Sequence, residues 1–176
     1  KGVDLAGYAT DIVHDLYDPL PFEDNTVDEM FASHVLEHFP LHAIVDILAD
    51  WQRCLKPKEG IFWGIVPDGP AVCKCYMEAS EKGEDPIVRA LHFNLYGGFT
   101  QNPYAGLRDT HYVLYDEKVL ANVLGLAGFY PVIFHHDQGG PLDFRLIFIC
   151  GKGAYTPLDI NGVLDFKVPW AEWRNE

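Results

Sequence analysis

The sequence predicts an α/β fold, a mostly parallel sheet with helices on its faces and an antiparallel final strand. Three observations carry this. Short apolar runs alternate with segments of helical spacing, the pattern of a sheet flanked by helices. The last two strand-like runs, Tyr130–His135 and Phe144–Cys150, share only a turn at Gly139-Gly140-Pro141, so they should pair antiparallel. Hydrophobic residues make up 48% of 176, enough for the core of one domain and too many for general disorder.

The elements follow in order. Lys1–Leu5 reads as the end of a strand with an acidic residue at its tip, and Asp11–Asp15 as a second short strand. Leu20-Pro-Phe-Glu-Asp-Asn25 is rich in turn formers. Val27–Val35 is a third strand. From Leu41 to Lys56 apolar residues fall at 44, 47, 48, 51 and 55, a helical spacing closed by Pro57 and Gly60. Ile61–Val66 is a buried-type strand stopped by Pro67-Asp-Gly-Pro70. Pro70 suits the first turn of a helix running to about Lys82. Asp85-Pro86 opens another, which Gly97-Gly98 ends. Residues 99–112 form a loop of Gly, Pro, Asn, Tyr and Arg. Asp116 can cap a helix carrying Val119, Leu120, Val123 and Leu124, ended by Gly128. The domain is expected over residues 1–153, with 154–176 as a tail of little periodicity.

Composition narrows the function. Lys and Arg total 13 and Asp and Glu 26, so 13 − 26 = −13. That balance, without a basic cluster, argues against a nucleic-acid partner or an anionic membrane surface. The apolar runs are too short to span a bilayer. Cys54, Cys73, Cys75 and Cys150 read as reduced thiols, and Cys73-Lys-Cys75 is too tightly spaced for the usual zinc knuckle. A cytoplasmic setting is therefore expected. Lys1, with strand-like sequence at once behind it and no signal pattern, reads as the start of a chain whose natural beginning lies upstream.

In sheets of this kind ligands bind beyond the carboxyl ends of the strands. Asp4 stands at the first such end, where a carboxylate can accept from a ribose diol; a solvated loop aspartate is the competing reading. Asp15-Leu16 follows the second strand, a pair suited to an adenine's exocyclic amine and ring, or equally to a turn. Ser33-His34 ends the third, with Glu37-His38 close behind. His34 and His38 are four apart and would share a face in a helix, but no third metal ligand is placed, so no metal is expected. His135-His136-Asp137 is a poor metal site because adjacent strand residues face opposite ways.

The motifs gain meaning together. Asp11-Ile-Val-His-Asp-Leu16, Leu20-Pro-Phe-Glu-Asp-Asn-Thr-Val-Asp28, Ser33-His-Val-Leu-Glu-His38, Arg53-Cys-Leu-Lys-Pro57 and Ile65-Val-Pro-Asp68 come in this order. This series resembles the class I S-adenosylmethionine-dependent methyltransferases, in particular the type 11 group. His111–Tyr115, followed by Leu120–Phe129 ending Ala-Gly-Phe, is similar to that family's last helix before its final strands. The resemblance covers about residues 1–152.

It implies a doubly wound Rossmann-like sheet and methyl transfer from S-adenosylmethionine to a small-molecule or carbohydrate-like acceptor. By position, Asp4 would hold the ribose hydroxyls and Leu5 would pack on the adenine. Asp15 and Leu16 would frame the other edge of the adenine, and Ser33 and His34 would line the methionine part. His38 and His111 would orient or deprotonate the acceptor, and Tyr96 and Arg108 would face it. Two departures stand out. Lys58-Glu59-Gly60 replaces a Gly-Gly turn. The family's first strand and glycine-rich loop have no counterpart, so an upstream segment is expected to supply them. A partner chain or a strand at Val163–Val168 is the alternative source. The competing function is a catalytically inactive methyltransferase-like module acting through a protein partner or as a homo-oligomer, motivated by the absent loop and by Trp170 and Trp173.

Overall fold

The computed structural model describes residues 3–4, 11–97 and 110–152. The expected tail, the 98–109 part of the expected loop and Leu5 lie outside them. The order of elements is β1 (Val3–Asp4), β2 (Ile12–Val13), β3 (Glu29–Ser33), a 3-10 turn (Leu36–His38), α1 (Leu41–Cys54), β4 (Ile61–Pro67), α2 (Gly69–Glu81), α3 (Asp85–Tyr96), α4 (Glu117–Leu126), β5 (Phe129–Gly140) and β6 (Asp143–Lys152). The expected helices and strands that fall on described residues are present. The final hairpin is longer than its apolar runs suggested, because the ladder continues through polar residues to Gly140 and Asp143.

Four strands form one sheet in the order β3-β4-β6-β5, and β1 and β2 form a separate parallel pair. β3 and β4 are parallel, while β6 runs antiparallel to both neighbours. Within this sheet β6 alone runs against the rest, as the short final turn requires.

The core lies between the sheet and α1. Ile44, Ile47, Leu48, Trp51 and Cys54 recur at helical spacing and are all buried. They meet alternate residues of β4 and β6, among them Phe62, Val66, Leu146, Phe148 and Cys150. Phe62 is the hub, with ring centroids 5.8 Å from Trp51, 5.2 Å from Phe129 and 5.1 Å from Phe148. α4 packs beside α1 and supplies Leu120, Val123 and Leu124 to the same core. Asp116 caps it as expected, accepting from Val119 N at 2.7 Å, and Gly128 leaves it at φ +90°.

The sequence motifs have structural work to do. Arg53 donates to Asp50 Oδ1 (2.8 Å), Asp24 Oδ1 (2.6 Å), Phe22 O (2.9 Å) and Leu20 O (3.2 Å). It thereby clamps the Leu-Pro-Phe turn against α1. In the Lys58-Glu59-Gly60 turn, Lys58 takes the left-handed conformation at φ +67°. Gly60 is needed for space, since a Cβ there would sit 2.5 Å from Lys56 O.

One edge of β3 is paired to β4; the other borders a groove of about 910 Å³ that reaches to Val3 of β1. Leu16, Leu20, Phe22, Met30, Phe31 and Trp51 give it a largely apolar wall. Among the described residues no strand lies between β1 and β3. The gap falls where the resemblance leaves a strand without a counterpart. Among them, too, no helix is long and apolar enough to cross a membrane.

Candidate functional site

The carboxyl ends of β3 and β4 gather the polar residues. Ser33 is exposed and lines the groove with Leu16 and Val3. Asp15 closes a turn by accepting from Tyr17 N at 3.1 Å. Asp4 ends β1. Leu5 and Arg108 lie outside the described residues. Tyr96 is exposed at the end of α3, and its carbonyl accepts from His111 N at 3.3 Å.

His34 and His38 would share a face only if the stretch were helical, and it is not one helix. His34 stands before the 3-10 turn in a left-handed conformation, φ +52°, and donates its N–H to Ile65 O at 2.9 Å. A non-glycine residue held there is strained, and such strain gathers at functional sites. The short turn instead sends Glu37 inward, where it is 0% exposed.

Glu37 is the residue that sequence reading passed over. Both its oxygens are buried, and Oε2 has no hydrogen-bond partner among the described residues. Among the described residues the basic groups beside it are histidines. His34 Nδ1 lies 3.2 Å from Oε1 as an ion-pair contact, and His111 Nε2 lies 4.0 Å away. The Glu37 carboxylate raises the pKa of His34, and partial burial opposes that shift. The only signal in the sequence was its place inside Leu-Glu-His, and a local reading cannot separate a buried glutamate from a solvated one.

His38 and His111 come together although 73 positions separate them in the sequence. Their ring centroids are 4.8 Å apart, edge to face. His38 Nδ1 donates to Thr110 O at 3.2 Å and His111 Nδ1 to Asn94 O at 3.0 Å. A carbonyl can only accept, so each neutral ring carries its lone pair on Nε2. Tyr112 N donates to Glu37 O at 2.7 Å and the Tyr115 hydroxyl to Leu36 O at 3.3 Å. These bonds stitch the 110–115 segment onto the 3-10 turn and hold the two histidines in register.

A second cluster is an ion-pair bridge. Asp68, the last residue of the Ile65–Asp68 motif, caps α2 by accepting from Ala71 N at 3.2 Å. Its other oxygen lies 2.5 Å from His136 Nδ1, and His136 Nε2 lies 2.9 Å from Glu117 Oε1. Asp68 first, then Glu117, raises the pKa of His136. A folded-state pKa above the unfolded value stabilises below about pH 6.5. That contribution is lost as pH rises through the folded value. His136→Ala is therefore expected to flatten the fall in urea-unfolding free energy between pH 6 and pH 8. The change should be no more than about 1 kcal/mol, because the imidazole is half exposed.

Comparison with known proteins bears on the fold. Residues 3–63 match the family model of the methyltransferase domain, about a third of the chain. No curated protein matches the sequence. A SAM-dependent methyltransferase from Methanosarcina mazei superposes with a TM-score of 0.52 at 15% identity, covering 81% of this chain and 66% of that one. The PH0226 protein from Pyrococcus horikoshii gives 0.50 at 14%, covering 86% and 70%. A Bordetella parapertussis protein described as a possible exported protein gives 0.52 at 16%, covering 81% and 44%. The chain thus spans less than two thirds of the Bordetella and Methanosarcina structures. The fold is that of a class I methyltransferase domain.

Proposed function

We propose that this protein is an enzyme that transfers a methyl group from S-adenosylmethionine to a small-molecule or carbohydrate-like acceptor in the cytoplasm. The observation that carries the proposal is the matched segment itself. It contains Asp4, Asp15-Leu16 and Ser33-His34, at or just after the ends of β1, β2 and β3. Those are the positions at which this class of sheet receives ligands. The residues present also suit the group: Leu16 and Ser33 line one groove, an apolar side chain for a ring and a hydroxyl for a polar tail.

When bound, S-adenosylmethionine supplies an electrophilic methyl on a sulfonium. Asp4 would hold its ribose hydroxyls, Leu5, Asp15 and Leu16 its adenine, and Ser33 and His34 its methionine end. The chain's own contribution to the reaction is chiefly placement of the acceptor. Tyr96 and Arg108 would face the acceptor. The Nε2 of His38 or of His111 would take its proton, since each Nδ1 is committed to a carbonyl. If His38→Ala and His111→Ala both retain full turnover, this base assignment is wrong.

Calorimetric titration with S-adenosylmethionine tests the main proposal. Micromolar binding is expected. Asp4→Ala should weaken it roughly 10- to 100-fold, the worth of one or two hydrogen bonds to a charged group. No binding at millimolar donor would favour the alternative, a noncatalytic module that acts through a protein partner or a second copy.

A further inference from the structure

We infer that Glu37, His38 and His111 form a binding site for a divalent transition-metal ion of the zinc type. One donor atom from each residue falls within 4.8 Å of the others. Around a tetrahedral ion with bonds of about 2.1 Å, ligand atoms stand roughly 3.4 Å apart. The three can therefore close on an ion through side-chain adjustments of about 1 Å.

Three features point to a cation. First, Glu37 is fully buried; Oε1 meets the His34 ring at 3.2 Å, and Oε2 has no hydrogen-bond partner among the described residues. A buried carboxylate oxygen without one is costly, and a metal ion is one of the few partners that compensates it. Second, both histidines donate Nδ1–H to backbone carbonyls, Thr110 O and Asn94 O. Metal-ligating histidines are held in this way, with the tautomer set by the carbonyl; His111 Nε2 stands 4.0 Å from Glu37 Oε1. Third, two imidazoles and one carboxylate select zinc and its first-row neighbours over magnesium or calcium, which prefer all-oxygen sites. Three protein ligands leave a coordination position open, as in catalytic rather than structural sites. His34, in contact with Glu37 Oε1, is the competing partner and would be displaced from the carboxylate.

The site is read without donor or acceptor, but a bound ion would occupy the Nε2 lone pairs of His38 and His111, so metal binding and the base role given to these histidines are alternatives. The full chain, free of any affinity tag and treated with chelator, is titrated with Zn2+ by calorimetry and with Co2+ by its ligand-field absorption. One equivalent is expected to bind at micromolar affinity and to raise the thermal midpoint. His38→Ala and His111→Ala should each weaken binding beyond the roughly 10- to 100-fold that loss of a ligand's supporting partner costs. Glu37→Gln keeps the shape and removes the charge. It should lose the metal-induced rise yet be at least as stable as the metal-free parent. Absence of binding up to millimolar metal overturns the site, as does unchanged binding in the three variants. A Glu37→Gln protein clearly less stable than the metal-free parent also overturns it, because the carboxylate would then be compensated by His34 alone.

Discussion

Gly64→Ala is expected to lower the unfolding free energy by about 3 kcal/mol or more. Gly64 lies in the middle of β4, level with Ala32 of β3 on one side and Phe148 of β6 on the other. A Cβ built there would stand 2.4 Å from Ala32 O and 2.7 Å from Phe148 Cζ. The phenyl ring could turn aside, but the carbonyl belongs to the backbone of the neighbouring strand. Relief would require β3 to part from β4. β3 leads directly into Ser33, His34 and the Glu37–His38 turn, so the damage should reach the site as well as the core. Urea unfolding at pH 7 checks the expectation. Gly140→Ala is the control, since the nearest atom to its Cβ is Asp143 Cβ at 3.8 Å; its midpoint should barely move. Equal midpoints for the two variants would show that β3 and β4 have slack that the geometry does not suggest.

Phe62→Ala should cost about 3–5 kcal/mol, the usual range for emptying a buried aromatic site. The ring is 0% exposed and touches aromatic partners from α1, β5 and β6 at once. Neighbouring backbone on three sides limits collapse into the cavity. In a domain whose total stability is of order 5–15 kcal/mol, such a loss brings the folded state close to its limit. Phe62→Leu keeps most of the volume and should cost less than half as much. Thermal unfolding of the two variants separates cavity formation from simple loss of apolar area. If both fall equally, aromatic geometry and not volume governs this centre.

The fold was legible because its signals are local and repeated. The spacing of Ile44, Ile47, Leu48 and Trp51 sets one face of α1 whatever lies opposite. Asp116 caps α4 through a hydroxyl-free carboxylate only three residues from its donor. Gly139-Gly140-Pro141 made the last pair antiparallel because no crossover fits between the two strands. The order of Leu20-Pro-Phe22 and Arg53 carried part of the resemblance, and their hydrogen bonds tie the two segments together.

The site was less legible. The strand ends near Asp4, Asp15 and Ser33 could be located because they are local features; the roles proposed there come from the resemblance. Glu37 could not be picked out, since its burial is decided by a 3-10 turn that packs beneath residues 110–115. His34 and His38 would share a face only in a helix, and the left-handed backbone at His34 precludes one there.

From the amino-acid order alone come the element types, the acidic surface, the family resemblance and the strand-end residues, all of which depend on neighbours a few positions apart. Tertiary structure decided the rest. It set His111 beside His38 across 73 positions, drove a carboxylate into the interior, and left a groove between β1 and β3. Each of these depends on how distant segments meet, and no spacing along the chain records that.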